Sequence, residues 1–295
     1  MNNRNILNSM LNFRRIKQFS PVKLNLVGLG LFSLICGYAV YISPPNVFEV
    51  NIIWAIPLIL SAFTLLASQA VQTAIFCRVE SLEVPVIWSV WFAAEKAWLN
   101  AVAPAKAGTV SAVLLLQKKY AIHWNRYVRF MLYIAANTFV LSLILLVLVL
   151  VDFGVLMGLS LSALFFTILA LKRVYQVSIF EFVLTSLSLT VQLICLSSGV
   201  AFGMLGLDYK IDLNDIAFIG ALLNLLSIVS LTPGNFGVRE ALLAAFSQFT
   251  NLDLYEIVQA STVFVFVRLM ISLVTATALR GIALRAITSV GRDCP

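Results

Sequence analysis

Six charged side chains interrupt long apolar stretches of this sequence, and their charges do not balance. The cations are Lys96, Lys106, Arg239 and Arg268, and the acids are Glu95 and Glu240. A charge at the centre of a membrane helix costs about 2.5–3.5 kcal/mol, so such a group normally faces a partner or a cavity. Even if both acids form ion pairs, two cations are left over. The sequence therefore predicts a site for an anion near these residues.

Ion pairs that lock helices together are the alternative role for the same residues. Glu95 would pair with Arg239 or Arg268. Glu240 would pair with Lys106, which is alternatively an ordinary lysine at the membrane surface. The single histidine and the four cysteines lack the spacing of metal ligands, so we expect no metal ion and no cofactor.

Two breaks in the apolar pattern lie beside these charges. Both contain a P-x-x-x-G element, and their residues are Pro104, Gly108, Pro233, Gly234 and Gly237. Proline ends or starts a helix, and glycine allows a close turn. Half-helices that begin near Gly108 and Gly237 would direct their free amides and positive dipole ends at an anion. We therefore add both glycines to the candidate site with Lys106 and Arg239.

Composition decides the surroundings in which these residues act. The 295 residues are 61% hydrophobic and 11% charged, whereas soluble domains carry about 25% charged residues. This balance indicates an all-helical integral membrane protein and excludes a soluble enzyme. We expect membrane lipids as partners and no nucleic acid.

The apolar pattern predicts about six transmembrane helices. They cover residues 24–42, 52–76, 127–151, 153–171, 182–205 and 255–279. Segments 86–116 and 214–249 break near the middle, and each is too long for one helix and too short for two comfortable crossings of a core about 30 Å thick. Each is predicted to be a re-entrant helical hairpin.

The distribution of Lys and Arg supports this topology. With the N-terminus inside and both hairpins re-entrant, most cations lie on the cytoplasmic side. If segment 86–116 crossed the membrane, Lys118, Lys119, Arg126 and Arg129 would lie outside. The first hairpin then enters from the cytoplasm and the second from outside. Such inverted repeats recur in secondary transporters.

The domain organisation follows from these assignments. A basic cytoplasmic segment, 1–23, precedes a single membrane domain, 24–285, and a short cytoplasmic tail, 286–295, follows it. The inverted halves cover roughly 49–151 and 180–280. Both termini are predicted to lie inside, in a multi-pass protein of the cytoplasmic membrane.

Uncharged polar and aromatic side chains complete the pattern. We expect interhelical hydrogen bonds from Gln69, Gln72, Asn100, Asn137, Gln192 and Asn224. An aromatic belt at the cytoplasmic interface is predicted for Trp88, Trp91, Trp98 and Trp124.

Two motifs resemble the lysylphosphatidylglycerol synthase transmembrane-region family, also called the flippase-like domain. They are NAVAPAKAG at 100–108 and LTPGNFGVREALL at 231–243. The second follows the family pattern P-G-G-x-G-x-R-E, with Asn235 in place of a glycine. The first departs from its pattern, because Lys106 replaces an arginine and Thr109 stands where a glutamate is common.

The resemblance implies a role with polar or anionic lipids. The chain resembles a standalone family member without the soluble synthase domain, so we expect no enzymatic activity. The expected function is a translocator or carrier of a phospholipid or a polyprenyl-phosphate-linked glycolipid. Its headgroup would bind at Arg239, Lys106, Arg268, Lys96, Gly108 and Gly237.

Two other functions remain open at the level of sequence. One is an intramembrane lipid-modifying enzyme, with Glu95 or Glu240 as general base. The other is a non-transporting partner of membrane proteins in an envelope lipid or glycan pathway.

Overall fold

The described part of the chain is built from α-helices. The computed structural model describes residues 51–102, 107–150, 177–228 and 253–290, together with Arg239, Leu243 and Ala245. Within them the helices are α1 (Ile52–Val79), α2 (Val86–Val102), α3 (Ala107–Tyr120), α4 (Trp124–Leu150), α5 (Ile179–Gly206), α6 (Leu213–Ile228) and α7 (Leu254–Val290).

Four of these helices are long and apolar enough to cross a membrane. The stretches are Ile52–Val79, Trp124–Val147, Ile179–Gly206 and Tyr255–Ala283. They correspond to four of the six predicted spans, and the spans predicted at 24–42 and 153–171 lie outside the described residues. The prediction of a helical membrane protein is confirmed at this level.

Polar side chains fix where α1 and α5 begin. The Asn51 side chain accepts a hydrogen bond from the amide of Ile53 at 3.1 Å. Before α5, Ser178 accepts from the amide of Glu181, and the Glu181 carboxylate accepts from the amide of Ser178. These caps satisfy amides that have no partner within the helix.

Contacts between helix ends give the direction of each long helix. One end of the bundle, here the basic end, carries Arg78 and Arg126. At this end Arg126, in the first turn of α4, pairs with Glu80 after α1 at 2.8 Å. Arg78 pairs with Glu181, in the first turn of α5, at 3.9 Å. The chain therefore leaves α1 and begins both α4 and α5 at the basic end.

The opposite end, here the acidic end, carries the exposed Asp208, Asp212 and Asp253. There the amide of Asn51 donates to the carbonyl of Gly206 at 2.9 Å, so α1 begins where α5 ends. The Tyr209 hydroxyl donates to Gln259 of α7 at 2.6 Å. The chain therefore leaves α5 and begins α7 at the acidic end.

Helices α2 and α3 form an antiparallel hairpin. The rings of Trp88 near the start of α2 and Tyr120 at the end of α3 lie 6.1 Å apart. At the break, the Thr109 amide donates to the Asn100 side chain at 3.0 Å. Because α1 ends and α4 begins at the basic end, this hairpin returns to the end from which it starts.

The segment between α5 and α7 also starts and ends at the acidic end, because α5 ends there and α7 begins there. Its first part is α6, and Arg239, Leu243 and Ala245 are the residues described from its later part. The remaining residues predicted to shape the two breaks lie outside the described residues; these are Pro104, Lys106, Pro233, Gly234, Gly237 and Glu240.

Several helix contacts have the order that an inverted repeat predicts, but the α5–α7 contact has no comparable counterpart between α1 and α4. Helix α1 packs along α5, each of them also packs on the helix that follows it, α2 packs on α7, and α6 packs on α4. If α1 is exchanged with α5, α2 with α6 and α4 with α7, each of these contacts except α1–α5 becomes another contact in the same group. The contact between α1 and α5 is converted into itself.

Tryptophans of α2 lie in the core and not at its surface. Trp88, Trp91 and Trp98 are 0%, 5% and 3% exposed. Trp88 stacks on Phe92 with ring centroids 4.6 Å apart. The predicted aromatic belt is therefore wrong for these three residues, because α2 is enclosed by α1, α3 and α7. Trp124 is 46% exposed.

Two helical glycines provide a matched test of this packing. A Cβ on Gly203 of α5 would lie 2.7 Å from the Ala260 carbonyl oxygen of α7, whereas a Cβ on Gly281 meets no atom within 4 Å. We expect Gly203→Ala to lower the free energy of unfolding by about 1–3 kcal/mol. Gly281→Ala should leave it unchanged or raise it, because alanine favours helix. Thermal unfolding in detergent measures both, and equal effects would contradict the α5–α7 contact.

Candidate functional site

A cavity of about 440 Å³ is lined by residues of both broken segments. All seven described helices and Arg239 contribute to its wall. Its volume falls within the roughly 300–1,000 Å³ of small-molecule sites. The last turn of α2 reaches it through Asn100 and Ala101, and the last turn of α6 reaches it through residues 226–228. Two segments that start at opposite ends of the bundle thus end at one cavity.

Three of the cations that were predicted to bind an anion line this cavity. They are Lys96 of α2, Arg239, and Arg268 of α7. Among the described residues that line the wall, none carries a carboxylate. Lys106 lies outside the described residues. The described wall is therefore positively charged.

Arg239 is anchored to α7. Its side chain is buried, with 2% of the residue exposed. Its guanidinium donates to the Thr262 hydroxyl at 2.9 Å and, over a longer 3.4 Å, to the Ser261 carbonyl. Some of the N–H groups of Arg239 therefore hold the second broken segment against α7.

Arg268 lies two turns further along α7 and is only partly buried. It makes no hydrogen bond and no ion pair with any residue of the described part of the chain. Since the wall contains its side chain, the guanidinium of Arg268 offers its donors to a guest. It is the strongest candidate for an anion contact.

The ion pairs predicted for Glu95 are not formed. Neither Arg239 nor Arg268 pairs with this carboxylate, which interacts electrostatically with Arg280 of α7 instead. Consecutive residues of a helix point about 100° apart. Because Lys96 faces the cavity, Glu95 is turned away from it. The pair predicted between Glu240 and Lys106 lies outside the described residues.

Gly108 serves helix contact and is not part of the described wall. A Cβ there would lie 2.2 Å from the Lys96 carbonyl oxygen. The nearby Thr109 amide, expected to be free for an anion, donates to Asn100. The sequence predicted free backbone amides at the start of α3, and the Thr109 amide is not one of them.

A chain of hydrogen-bonded amides passes beside the cavity. Gln72 of α1 donates to Gln192 of α5 at 3.2 Å. Gln192 donates to Asn224 of α6 at 3.2 Å, and Asn224 donates to Ser142 of α4 at 2.9 Å. The prediction of interhelical hydrogen bonds is confirmed for these amides. Asn137 instead bonds within α4, to the carbonyl of Tyr133.

One face of α4 forms the apolar side of the cavity, which the sequence analysis missed. The residues on it are Tyr127, Val128, Met131, Leu132, Ile134, Ala135 and Thr138. Leu132 lines the cavity and is also 64% exposed. The cavity therefore opens at the outer, apolar surface of α4. The helical spacing of these residues could have indicated a cavity-facing side of α4. Apolar residues of any transmembrane helix have similar spacing, however, so the spacing does not distinguish this side.

Comparison of the chain with protein-family models, curated proteins and solved structures found no match. The family resemblance at residues 100–108 and 231–243 therefore stays a prediction.

The two arginines of the wall should differ in their effect on stability. Arg239→Gln removes hydrogen bonds from a charged donor to α7 and should cost about 1.5–3 kcal/mol of unfolding free energy. Arg268→Gln removes a partly buried cation and should leave stability unchanged or raise it. Denaturant or thermal unfolding of the detergent-solubilised variants checks this. Equal losses in both variants would mean that Arg268 also has a structural partner.

Proposed function

We propose that the protein is a translocator or carrier of lipids with an anionic or polar headgroup in the cytoplasmic membrane. The observation that carries this proposal is a single cavity with two kinds of wall. Lys96, Arg239 and Arg268 supply positive charge, and α4 supplies an apolar face that opens at Leu132. A phospholipid or a polyprenyl-phosphate-linked glycolipid has both matching parts.

The apolar face favours a lipid over a soluble anion. From Tyr127 to Thr138 it runs for about 16 Å at 1.5 Å per residue. Leu132 belongs to the exposed side of α4 together with Phe139 and Leu143. In a membrane this side faces hydrocarbon, so a guest can keep its chains in the bilayer while its headgroup lies in the cavity.

The charge of the wall favours a carrier over an enzyme. General-base catalysis needs a carboxylate within hydrogen-bond reach of the reacting group. The described wall contains none, and Glu95 is not part of it. A positive wall instead suits binding and release of an anion.

The proposed transport mechanism relies on an inverted arrangement of the two halves of the chain. By the positive-inside rule, the basic end with Arg78 and Arg126 lies in the cytoplasm and the acidic end lies outside. The full topology then has six spans and two re-entrant hairpins, with both termini inside. Movement of one half against the other opens the cavity alternately to the two sides of the membrane.

Lipid movement in vesicles tests this proposal. Reconstituted protein should move a fluorescent anionic lipid between leaflets, and Arg268→Gln should lower the rate about 10- to 100-fold, the equivalent of one charged hydrogen bond. The matched control is Lys118→Gln, which removes an exposed cation of α3 outside the cavity. Protein-dependent movement that is unchanged in Arg268→Gln would exclude this cavity from transport.

Thiol labelling tests the orientation. In a variant whose four native cysteines are replaced, we expect Lys210→Cys near the acidic end to react with an impermeant maleimide added to intact cells. Lys118→Cys near the basic end should react only after permeabilisation. Labelling of both from the same side would contradict the proposed topology, and the opposite result would reverse it.

A further inference from the structure

We propose that the contact of α7 with α5 at Gly199 and Gly203 is the outer gate of the cavity. The structure is then the state in which this gate is closed, while the cavity is open on the side of the basic end. This inference rests on the proposed function, because a gate serves the passage of a guest. It comes from a difference between the two inverted halves of the chain.

Glycines bring α7 into direct contact with α5 on the acidic side of the cavity. A Cβ on Gly203 would lie 2.7 Å from the Ala260 carbonyl oxygen. One turn nearer the cavity, a Cβ on Gly199 would overlap the ring of Phe264. Phe264 is the first residue of α7 in the described cavity wall. The two helices therefore leave no space between them on the acidic side, and the cavity ends at Phe264.

The corresponding helices of the first half are apart. Counted from the first residue of each helix, Gly199 of α5 corresponds to Gln72 of α1. In the same count, Phe264 of α7 corresponds to Ile134 of α4. Gln72 and Ile134 both line the cavity, so the position that is closed in the second half is open in the first. The opening at Leu132 lies on this side, about 12 Å along α4 from the basic end.

Aromatic rings fill the space between α1 and α4 one turn further towards the basic end. By the same count, Gly203 corresponds to Phe76 of α1. Ala260 corresponds to Phe130 of α4. The ring centroids of Phe76 and Phe130 lie 5.2 Å apart. Two large side chains thus occupy the position that a glycine and an alanine occupy in the other half. The residue types themselves favour an open first half and a closed second half.

This difference between the halves indicates the movement that opens the gate. Alternating access in inverted repeats is movement of one half against the other around a fixed site. Because both halves have the same order of helices, the other state has their two conformations exchanged. In it α7 leaves α5 near Gly203, and α4 approaches α1 and closes the opening at Leu132. The α1–α5 contact is kept in both states, because exchange of the halves converts it into itself.

Spin labels across the gate test this assignment. In a variant whose four native cysteines are replaced, one pair joins Asp208→Cys after α5 to Tyr255→Cys of α7. The reference pair joins Asp208→Cys to Ile52→Cys of α1, and all three positions are exposed. Gly203→Ala should push α7 away from α5 and raise the ratio of long to short Asp208–Tyr255 distances about 5- to 150-fold. The Ile52–Asp208 distance should stay unchanged. Pulsed electron paramagnetic resonance in nanodiscs measures both.

Gly281→Ala is the matched control for the spin labels. A Cβ at Gly281 meets no atom within 4 Å, so this variant should keep the wild-type distances. A folded Gly203→Ala protein with the wild-type Asp208–Tyr255 distance would overturn the gate. Lengthening of both label pairs would also overturn it, because that result means a loosened bundle and not an opening between α5 and α7.

Cross-linking tests the gate with both glycines intact, and it decides the case if Gly203→Ala does not fold. The Tyr209 hydroxyl donates to Gln259 of α7, so Tyr209→Cys and Gln259→Cys can be joined across the gate by a short reducible bis-methanethiosulfonate. This link should abolish lipid movement in vesicles, and a reductant should restore it. The matched control is a disulfide between Ser61→Cys of α1 and Ser198→Cys of α5, whose hydroxyl oxygens lie 3.2 Å apart. It should leave the rate unchanged, because the α1–α5 contact does not move.

The outcomes separate failure of the gate from failure of the proposed function. Lipid movement that continues in the linked Tyr209–Gln259 variant would overturn the gate. Movement that stops equally in both linked variants would overturn the division into a moving gate and a fixed α1–α5 contact. Absence of lipid movement in the unlinked protein would overturn the proposed function. The label distances do not depend on transport, so they show in either case whether α7 leaves α5.

Discussion

The interior of a membrane offers no water to polar groups, and this constraint organises the whole structure. A polar group in that interior is costly unless it has a partner within the protein or lines a cavity that admits water. At the first break, the Asn100 side chain accepts a hydrogen bond from the Thr109 amide. The Thr262 hydroxyl accepts a hydrogen bond from Arg239. Both hydrogen bonds lie beside the cavity, because polar residues of both broken segments line it.

The sequence predicted the polar part of this arrangement better than the apolar part. Charge imbalance and paired breaks pointed to Lys96, Arg239 and Arg268, and all three line the cavity. Four spans were also predicted correctly, because hydropathy depends on local composition alone. The α4 face was missed because lipid-facing and cavity-facing apolar residues have the same composition. Only tertiary contacts separate the two.

The errors at α2 have a common physical cause. The tryptophans and Glu95 were placed by residue type, whereas their positions depend on the rotation of α2 about its axis. At Gly108 the backbone of α3 lies close to the Lys96 carbonyl of α2. In the observed rotation Lys96 lines the cavity, Glu95 does not, and Trp88 lies in the core. The rotation of α2 about its own axis cannot be predicted from residue types in a single sequence.

The α1–α5 contact is the most extensive contact between two helices in the described part of the chain. Exchange of the halves converts this contact into itself, and Ser68 and Gln72 of α1 face Ser188 and Gln192 of α5 across it. Both pairs have the same i, i+4 spacing, so their hydrogen bonds lie along one line between the helices. If the halves move against each other in transport, this line is the natural pivot, because rotation about it preserves the bonds while the tips of α2 and α6 are displaced.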